Sequence, residues 1–367
     1  MKIVLVNFVK VYKESMAEFR LGELFCGPGG IALGAQNSEV VNNEEVFRIV
    51  HAWANDIDSD TCDTFRKNIF GANESVFCEN VKDLKIEELS AIDGLAFGFP
   101  CNDFSSVGEQ KGLNGNYGAL YTYGVKAITI HRPMFFVAEN VSGLNSSNDG
   151  DAFNLILSDL RNCGYRLVPH KYRFEEYGIP QARHRIIIVG IRNDLNHIFR
   201  VPATTHNSNN FRTSSDAILI PPISVEASNN ELTKQSKTVV ERLSYIKPGQ
   251  NAFNADIPEH LRLNVKGAKI SQIYKKLDPN KPAYTVTGSG GGGTHMYHWL
   301  ENRALTNRER ARLQTFPDNF LFLGNKESVR KQIGMAVPPQ GAEIIFKAIL
   351  KTFAGIEYEF IPHNIDK

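Results

Sequence analysis

The stretch LFCGPGG, Leu24–Gly30, constrains the fold more than any other part of the chain. The run from Arg20 to Phe25 reads as a strand, the glycines force a tight turn, and Ile31–Ala35 continues as a helix. Glycine lets the backbone turn sharply and lets a ligand lie against it, so a strand–turn–helix unit of this kind suits a molecule bound close to the main chain. A second unit follows. Arg48–Trp53 is strand-like, Ser59–Asn68 is amphipathic, and Asp56 lies between them, 26 residues after Gly30. A carboxylate there can accept hydrogen bonds from two ribose hydroxyls, although a lone Asp reads more simply as the N-cap of the next helix. Glycine turn and acid together point to a nucleoside cofactor. No lysine follows the glycines, which excludes a P-loop.

Leu95–Phe97, Met134–Ala138 and Arg185–Val189 are further strand candidates. Strands alternating with helices predict an α/β fold, a parallel sheet with helices on both faces. Ligands bind such sheets at the carboxyl ends of the strands, where Gly27, Asp56, Cys101 and Glu139 fall. In GFPCNDFS, Gly98–Ser105, Cys101 follows a proline just past a strand. A buried structural cysteine is the plainer explanation, but Gly98, Pro100, Asn102 and Ser105 make the segment loop-like, and donors in such a loop favour a nucleophilic thiolate. AENV closes an apolar strand with Glu139 and Asn140, a carboxyl group suited to hydrogen-bond a ring nitrogen or else a surface acid at a strand end. In PQARHR, Gln181, Arg183 and Arg185 alternate, which places all three on one strand face.

A chain of 367 residues has room for two domains. Its net charge of +1 does not announce a nucleic-acid partner, so any phosphate-binding charge must be gathered locally. Past Arg200 the chain turns polar and loop-like, and between Lys234 and Lys281 ten Lys/Arg stand against four Asp/Glu. That excess is either a solvated lysine face or a basic binding surface. The run Gly288–His295 is a glycine loop suited to close approach. Thr306–Glu309 reads as a capping box opening a helix through Gln314, ended by Phe316–Pro317, and Gly341–Phe353 as a closing helix. Five cysteines, an odd number without a C-x-x-C pair, argue against a disulfide framework or a zinc site and fit a reducing cytoplasm. Lysines interrupt the N-terminal apolar run, unlike a signal peptide, and no apolar stretch reaches the roughly 20 residues of a membrane span.

With these segments in order, the chain resembles the cytosine-C5 DNA methyltransferase family, especially its bacterial modification enzymes. The resemblance rests on LFCGPGG, Asp56, GFPCNDFS, GALY at Gly118–Tyr121, ENV at Glu139–Val141 and QARHR. It continues through TVTG at Thr285–Gly288, LTNRERARLQTFP at Leu305–Pro317 and KQIGMAVPP at Lys331–Pro339. It covers nearly everything outside the first twenty residues and the variable stretch from about Thr204 to Leu277.

The resemblance implies a Rossmann-like methyltransferase sheet in residues 1–199 plus 326–367, with a smaller target-recognition domain in 200–325. It implies S-adenosyl-L-methionine as cofactor, double-stranded DNA as partner, no metal and a monomer, with a restriction endonuclease as possible companion. Cys101 becomes the nucleophile and Glu139 its acid partner. Arg183, and less directly Arg185, hold the base carbonyl and the phosphate. The cofactor positions carry over to Phe25, Gly27, Pro28, Asp56, Ile57, Asn80, Val81, Pro100, Leu120, Ala336 and Val337. DNA contacts carry over to Asn102, Ser105, Gln181, Thr285 and Gly288, with Lys269 and Gln272 as base-reading residues. The segment from Asn102 to Gly118 resembles the family's active-site loop, with Gly108, Gly112 and Gly115 as hinges. Four positions depart from the family pattern: Asn102 for a glutamine, Asn80 for an aspartate, Ile57 for an aromatic and Met335 for an asparagine. Two alternatives stay open: a transfer-RNA cytosine methyltransferase, disfavoured by Phe-Pro-Cys in place of Pro-Pro-Cys, and a DNA-binding relative without catalysis.

Overall fold

The computed structural model describes residues 15–98, 120–141, 151–263, 271–288, 290 and 292–365. Pro100, Cys101, Asn102, Ser105 and Lys269, and the expected hinge glycines Gly108, Gly112 and Gly115, lie outside them.

The frame is a twisted sheet with helices on both faces. Its strands are β1 (Ser15–Leu24), β2 (Glu39–Asn42), β3 (Glu45–Asp56), β4 (Val76–Cys78), β5 (Gly94–Gly98), β6 (Phe135–Val141), β7 (Tyr165–Arg173) and β9 (His184–Arg192), with the two-residue β8 (Gln181–Ala182) standing apart. They run in the order β2-β3-β1-β5-β6-β9-β7, and β4 adds to β3. Strands β3, β1, β5 and β6 are mutually parallel, as is β4 beside β3. The all-parallel expectation fails at the edges: β2 is antiparallel to β3, and β9 is antiparallel to both β6 and β7. The reason is chain length. Only residues 174–183 link β7 to β9, too few for the crossover of a dozen or more residues that a parallel pair needs.

Strand alternation sorts the core. On β6, Phe136 and Ala138 enter the cluster that holds Phe97, Ile156 and Leu160, under α3 (Tyr121–His131) and α4 (Asp151–Asn162). Phe135 and Val137 enter the opposite cluster with Phe19, Phe346 and Ile349. Ile186–Ile191 of β9 divides the same way, so its residues are buried on both faces. Each of the larger of these side chains contributes roughly 1.5–3 kcal/mol on burial.

Helix α1 (Gly30–Gln36) packs against α9 (Pro339–Ala354). The approach is backbone to backbone: a Cβ on Gly34 would lie 2.4 Å from the Pro339 carbonyl oxygen. The C-terminal segment thereby closes on the first strand–turn–helix unit. Between them lie β10 (Val201–Pro202), α5 (Ser214–Leu219), α6 (Lys237–Ser244), β11 (Ala283–Tyr284), α7 (Asn307–Leu313) and α8 (Lys326–Met335), while β12 (Phe360–Ile361) follows α9 and pairs with β10. A separate apolar cluster, Leu243, Ile246, Ile257, Leu261, Tyr274, Tyr297 and Ala304, is drawn wholly from this intervening stretch. Among the described residues no helix is long and apolar enough to cross a membrane, and no group of His, Cys, Asp or Glu is arranged to hold a metal.

Candidate active site

The glycine turn opens at the end of β1. Phe25 and Gly27 both adopt left-handed φ, 55° and 57°, a conformation that costs Phe25 roughly 1–2 kcal/mol and Gly27 nothing. Asp56, at the end of β3, fastens the turn: its Oδ2 accepts the Gly27 N–H at 3.0 Å and its Oδ1 the Asp58 N–H at 3.1 Å. The Ile57 N–H also interacts with this carboxylate, and lone-pair capacity still remains for a ligand. Burial raises its pKa, against those backbone hydrogen bonds. Asp56 is not the helix cap. That role falls to Asp58, whose Oδ1 accepts the Thr61 N–H as α2 (Ser59–Asn68) begins.

The two ends of the turn differ in what their glycines face. A Cβ on Gly27 would meet nothing within 4 Å, so the backbone there borders open space. A Cβ on Gly30 would lie 2.2 Å from the Val337 carbonyl and 3.4 Å from Ala336 Cβ. The turn therefore joins Ala336 and Val337 on one side and leaves a cradle on the other. Phe25, Val81 and Leu120 share one apolar cluster, and Pro28 is buried. Ile57 is 67% exposed. Asn80 Oδ1 accepts the Lys82 N–H at 3.0 Å, forming an Asx turn that leaves its amide N–H free to face a ligand.

One acid here escaped the sequence reading. Glu23 is 1% exposed, and neither carboxylate oxygen has a partner. It lies close enough to Cys26 to raise that thiol's pKa, and desolvation pushes its own pKa up to about 8. The available signal was a lone acid inside the apolar run LGELF. A buried, unpartnered carboxyl group beside an open glycine turn suits a ligand that carries a cationic group.

The second half of the site lies two strands away. Gly98 and Glu139 are register partners at the ends of parallel β5 and β6, and a Cβ on Gly98 would sit 3.1 Å from Glu139 Oε2. Cys101 follows β5 by three residues. Arg185 Nε lies 2.9 Å from Glu139 Oε1. Topology makes this pair: β9 runs against β6, so its first residues stand where β6 ends.

Gln181 and Arg183 go elsewhere, so the three residues of PQARHR do not converge on one site. Gln181, expected at the DNA, is fully buried, with Nε2 donating to Leu313 O and Gln314 Oε1 and its Oε1 accepting the Val286 N–H. Arg183, expected to lead at the base, is 1% exposed and donates to the carbonyls of Val286 (3.1 Å), Gly334 (3.1 Å) and Met335 (3.4 Å). The strand breaks at Arg183, between β8 and β9, which separates the side chains that uninterrupted alternation would have aligned. Gln314 completes the joint, donating to Ile333 O at 2.6 Å and Ala336 O at 3.2 Å. Here the backbone of Met335, not its side chain, serves the junction; the side chain is 64% exposed. Thr285 Oγ1 donates to Ala182 O at 2.8 Å, Gly288 lies against Lys331, and Gln272 is exposed.

The thiols of Cys26, Cys62 and Cys163 are all pushed up by burial, which makes them poor nucleophiles.

The family model for C-5 cytosine-specific DNA methylases matches residues 19–351. The chain belongs to this family. As a C-5 cytosine-specific DNA methylase it is an enzyme, a DNA (cytosine-5-)-methyltransferase with the α/β methyltransferase fold. It is 59% identical to the type II methyltransferase M.BbvI of Brevibacillus brevis, across 95% of each chain. It is 42% identical to M.NgoFVII of Neisseria gonorrhoeae, across 90% of this methylase and 86% of that one. Among solved structures it matches a prophage-encoded E. coli protein described as a DNA modification methyltransferase. The TM-score is 0.68 at 22% identity, over 91% of this chain and 99% of the other. It also matches the Entamoeba histolytica methyltransferase EhMeth, with a TM-score of 0.61 at 17% identity, over 91% and 98%.

Proposed function

We propose that the methylase transfers a methyl group from S-adenosyl-L-methionine to carbon 5 of a cytosine flipped out of double-stranded DNA, with Cys101 as nucleophile and Glu139 and Arg185 as the polar clamp on the base. The observation that carries this reading is the Glu139–Arg185 pair at the strand ends, three residues from Cys101 on the neighbouring strand's path.

S-adenosyl-L-methionine, when bound, supplies an electrophilic methyl group on a sulfonium centre. The Gly27 cradle, Asp56, Asn80 and the apolar set Phe25, Val81 and Leu120 are the residues that would hold it, with Pro28, Ile57, Pro100, Ala336 and Val337 around them. Glu23 offers the carboxyl group that a cationic ligand neutralises. The Cys101 thiolate adds to carbon 6 of the cytosine, and the ring's carbon 5 becomes nucleophilic. Glu139 holds ring nitrogen 3 and the exocyclic amine, and Arg185 fixes that carboxyl group and reaches the base carbonyl. Once carbon 5 carries the methyl group, with the demethylated thioether as leaving group, the carbon 5 proton passes to solvent and the C–H electron pair re-forms the ring double bond as the Cys101 thiolate leaves. Arg183 acts as a positioning residue, holding the joint between β9, Val286 and the end of α8.

Residues 200–325 serve as the target-recognition portion in this proposal, supported by their own apolar cluster and their basic excess. Lys269, Gln272, Asn102, Ser105, Thr285 and Gly288 are its proposed DNA contacts. A monomer in the cytoplasm, with a companion endonuclease of the same specificity, fits an enzyme that protects host DNA.

The test is incubation with tritiated S-adenosyl-L-methionine and unmethylated genomic DNA, alongside Cys101→Ala, followed by mapping of 5-methylcytosine. Label with the wild type alone, at one short recurring sequence, is expected. Label in RNA only, or in neither, overturns the reading.

A further inference from the structure

Four arginines lie in or just before α7, and three of them are fully engaged. Arg303 pairs with Glu301 and Glu309. Arg308 donates to Ser228 O, Pro317 O and Phe320 O. Arg312 pairs with Asp318 and also donates to Pro221 O. Arg310 is the exception. It is 1% exposed, yet neither Nη1 nor Nη2 has a hydrogen-bond partner. A guanidinium cannot shed its charge at neutral pH, so burial without partners leaves a desolvated cation.

Arg310 lines a small polar pocket with Arg330, Lys326, His295, Glu231 and Thr233. The Arg330 Nε is likewise buried and unpartnered. Glu231 is the carboxylate in this wall, and it bonds neither Nη of Arg310. Lys326 is anchored on the Leu232 carbonyl at 2.7 Å. The lining sets three cations against one carboxylate, and Glu327 reaches one of them, Arg330, at 3.6 Å, which still leaves an excess of positive charge. Burial and the two arginines push His295 down to about 4, so it is neutral and can donate a hydrogen bond. The pocket also has an address. The Arg183 joint holds Val286, Gly288 lies on Lys331, and a Cβ on Gly290 would come within 2.9 Å of Arg330 Nε. Val286, Gly288 and Gly290 thus connect the Arg183 joint with Arg330 at the pocket.

We propose that Arg310 and Arg330, with Lys326, form a phosphate site that grips the DNA backbone, one turn of α8 from the Gly334 carbonyl that Arg183 holds. Its DNA arm rests on the proposed function; the phosphate chemistry does not. Arg310 stands within a segment shared with the family, but its charge is a feature of the pocket rather than of the catalytic set.

The test compares the full chain with Arg310→Met and Arg330→Met, the second being a milder change at a side chain that keeps 13% exposure. Circular dichroism establishes that each variant is folded. In one arm, DNA binding is followed by fluorescence anisotropy across a salt series. Each variant should bind about tenfold more weakly at ~0.1 M salt, with the slope of log K against log salt shallower by about one. In the other arm, inorganic phosphate at constant ionic strength should raise the melting temperature of the wild type and not of the variants. A changed salt slope identifies a backbone phosphate as the ligand. Phosphate protection with an unchanged slope identifies a free phosphate. Unchanged slopes without phosphate protection overturn the site and leave Arg310 as packing alone. Tritium transfer by the same wild-type preparation separates that failure from a failure of the DNA-methylation reading.

Discussion

Arg185 Nε stands 2.9 Å from Glu139 Oε1, and each side chain keeps only 13% of its surface exposed. A pair so enclosed is held for position, because burying it costs about as much as the attraction returns. Glu139→Gln keeps the shape and one hydrogen-bond acceptor but loses the charge. It should cut kcat by roughly 10²–10⁴. Arg185→Met should cut it by about 10²–10³. Single-turnover tritium transfer measures both, and calorimetry should find cofactor binding retained; retained transfer with either variant would remove the pair from the chemistry.

Arg183 and Gln181 should behave differently from Arg185. Arg183→Lys keeps the charge but cannot serve three carbonyls with a planar fork, and Gln181→Ala strands the Val286 N–H. Each should lower stability by about 1–3 kcal/mol in urea unfolding. The loss of activity should then track the loss of folded joint, and low temperature should restore much of it, which would not happen for a residue that touches the base.

The glycines of the turn offer a clean contrast. Gly34→Ala drives a methyl group onto the Pro339 carbonyl, 2.4 Å away, and should cost about 1–3 kcal/mol of stability. Gly27→Ala enters open space and meets only the left-handed φ of 57°, a cost of roughly 1–2 kcal/mol. Its main effect should fall on S-adenosyl-L-methionine affinity, read by equilibrium dialysis. Equal affinity with Gly27→Ala would remove the cofactor from that cradle.

Glu23 predicts a pH dependence. Its folded pKa is raised from the ordinary 4.5 to about 8 by desolvation. Between those values the folded chain holds a proton that the unfolded chain has lost, so stability is full below 4.5 and falls as pH rises toward 8. Glu23→Gln should flatten that slope in the ligand-free protein and stabilise it at pH 8 by a few kcal/mol, on the order of 3–5. Chemical denaturation at several pH values checks this, and an unchanged slope would sink it.

Local features were readable wherever local chemistry decides. Helix α2 spans Ser59–Asn68 as its amphipathic pattern predicts, and the Thr306–Glu309 capping box opens α7 with both of its reciprocal hydrogen bonds. The closing helix is three residues longer than expected, from Pro339 to Ala354, because proline suits a first helical turn. Strand β7 was missed: YRLVPHKYR mixes charge and proline, and it is a strand because β9 pairs with it along its length.

The sequence alone determined the strand–turn–helix unit, the acid at the end of the next strand, the segment carrying Cys101, and Glu139, since each rests on residue types a few positions apart. Tertiary structure decided which arginine meets Glu139, because that depends on β9 running against β6 and on the break in the strand at Arg183. It also decided that Gln181 lies inside the joint, that Glu23 is buried without a partner, and that Arg310 lines a pocket with Arg330. Burial and the partner of a charge are properties of distant segments brought together, and no spacing along the chain encodes them.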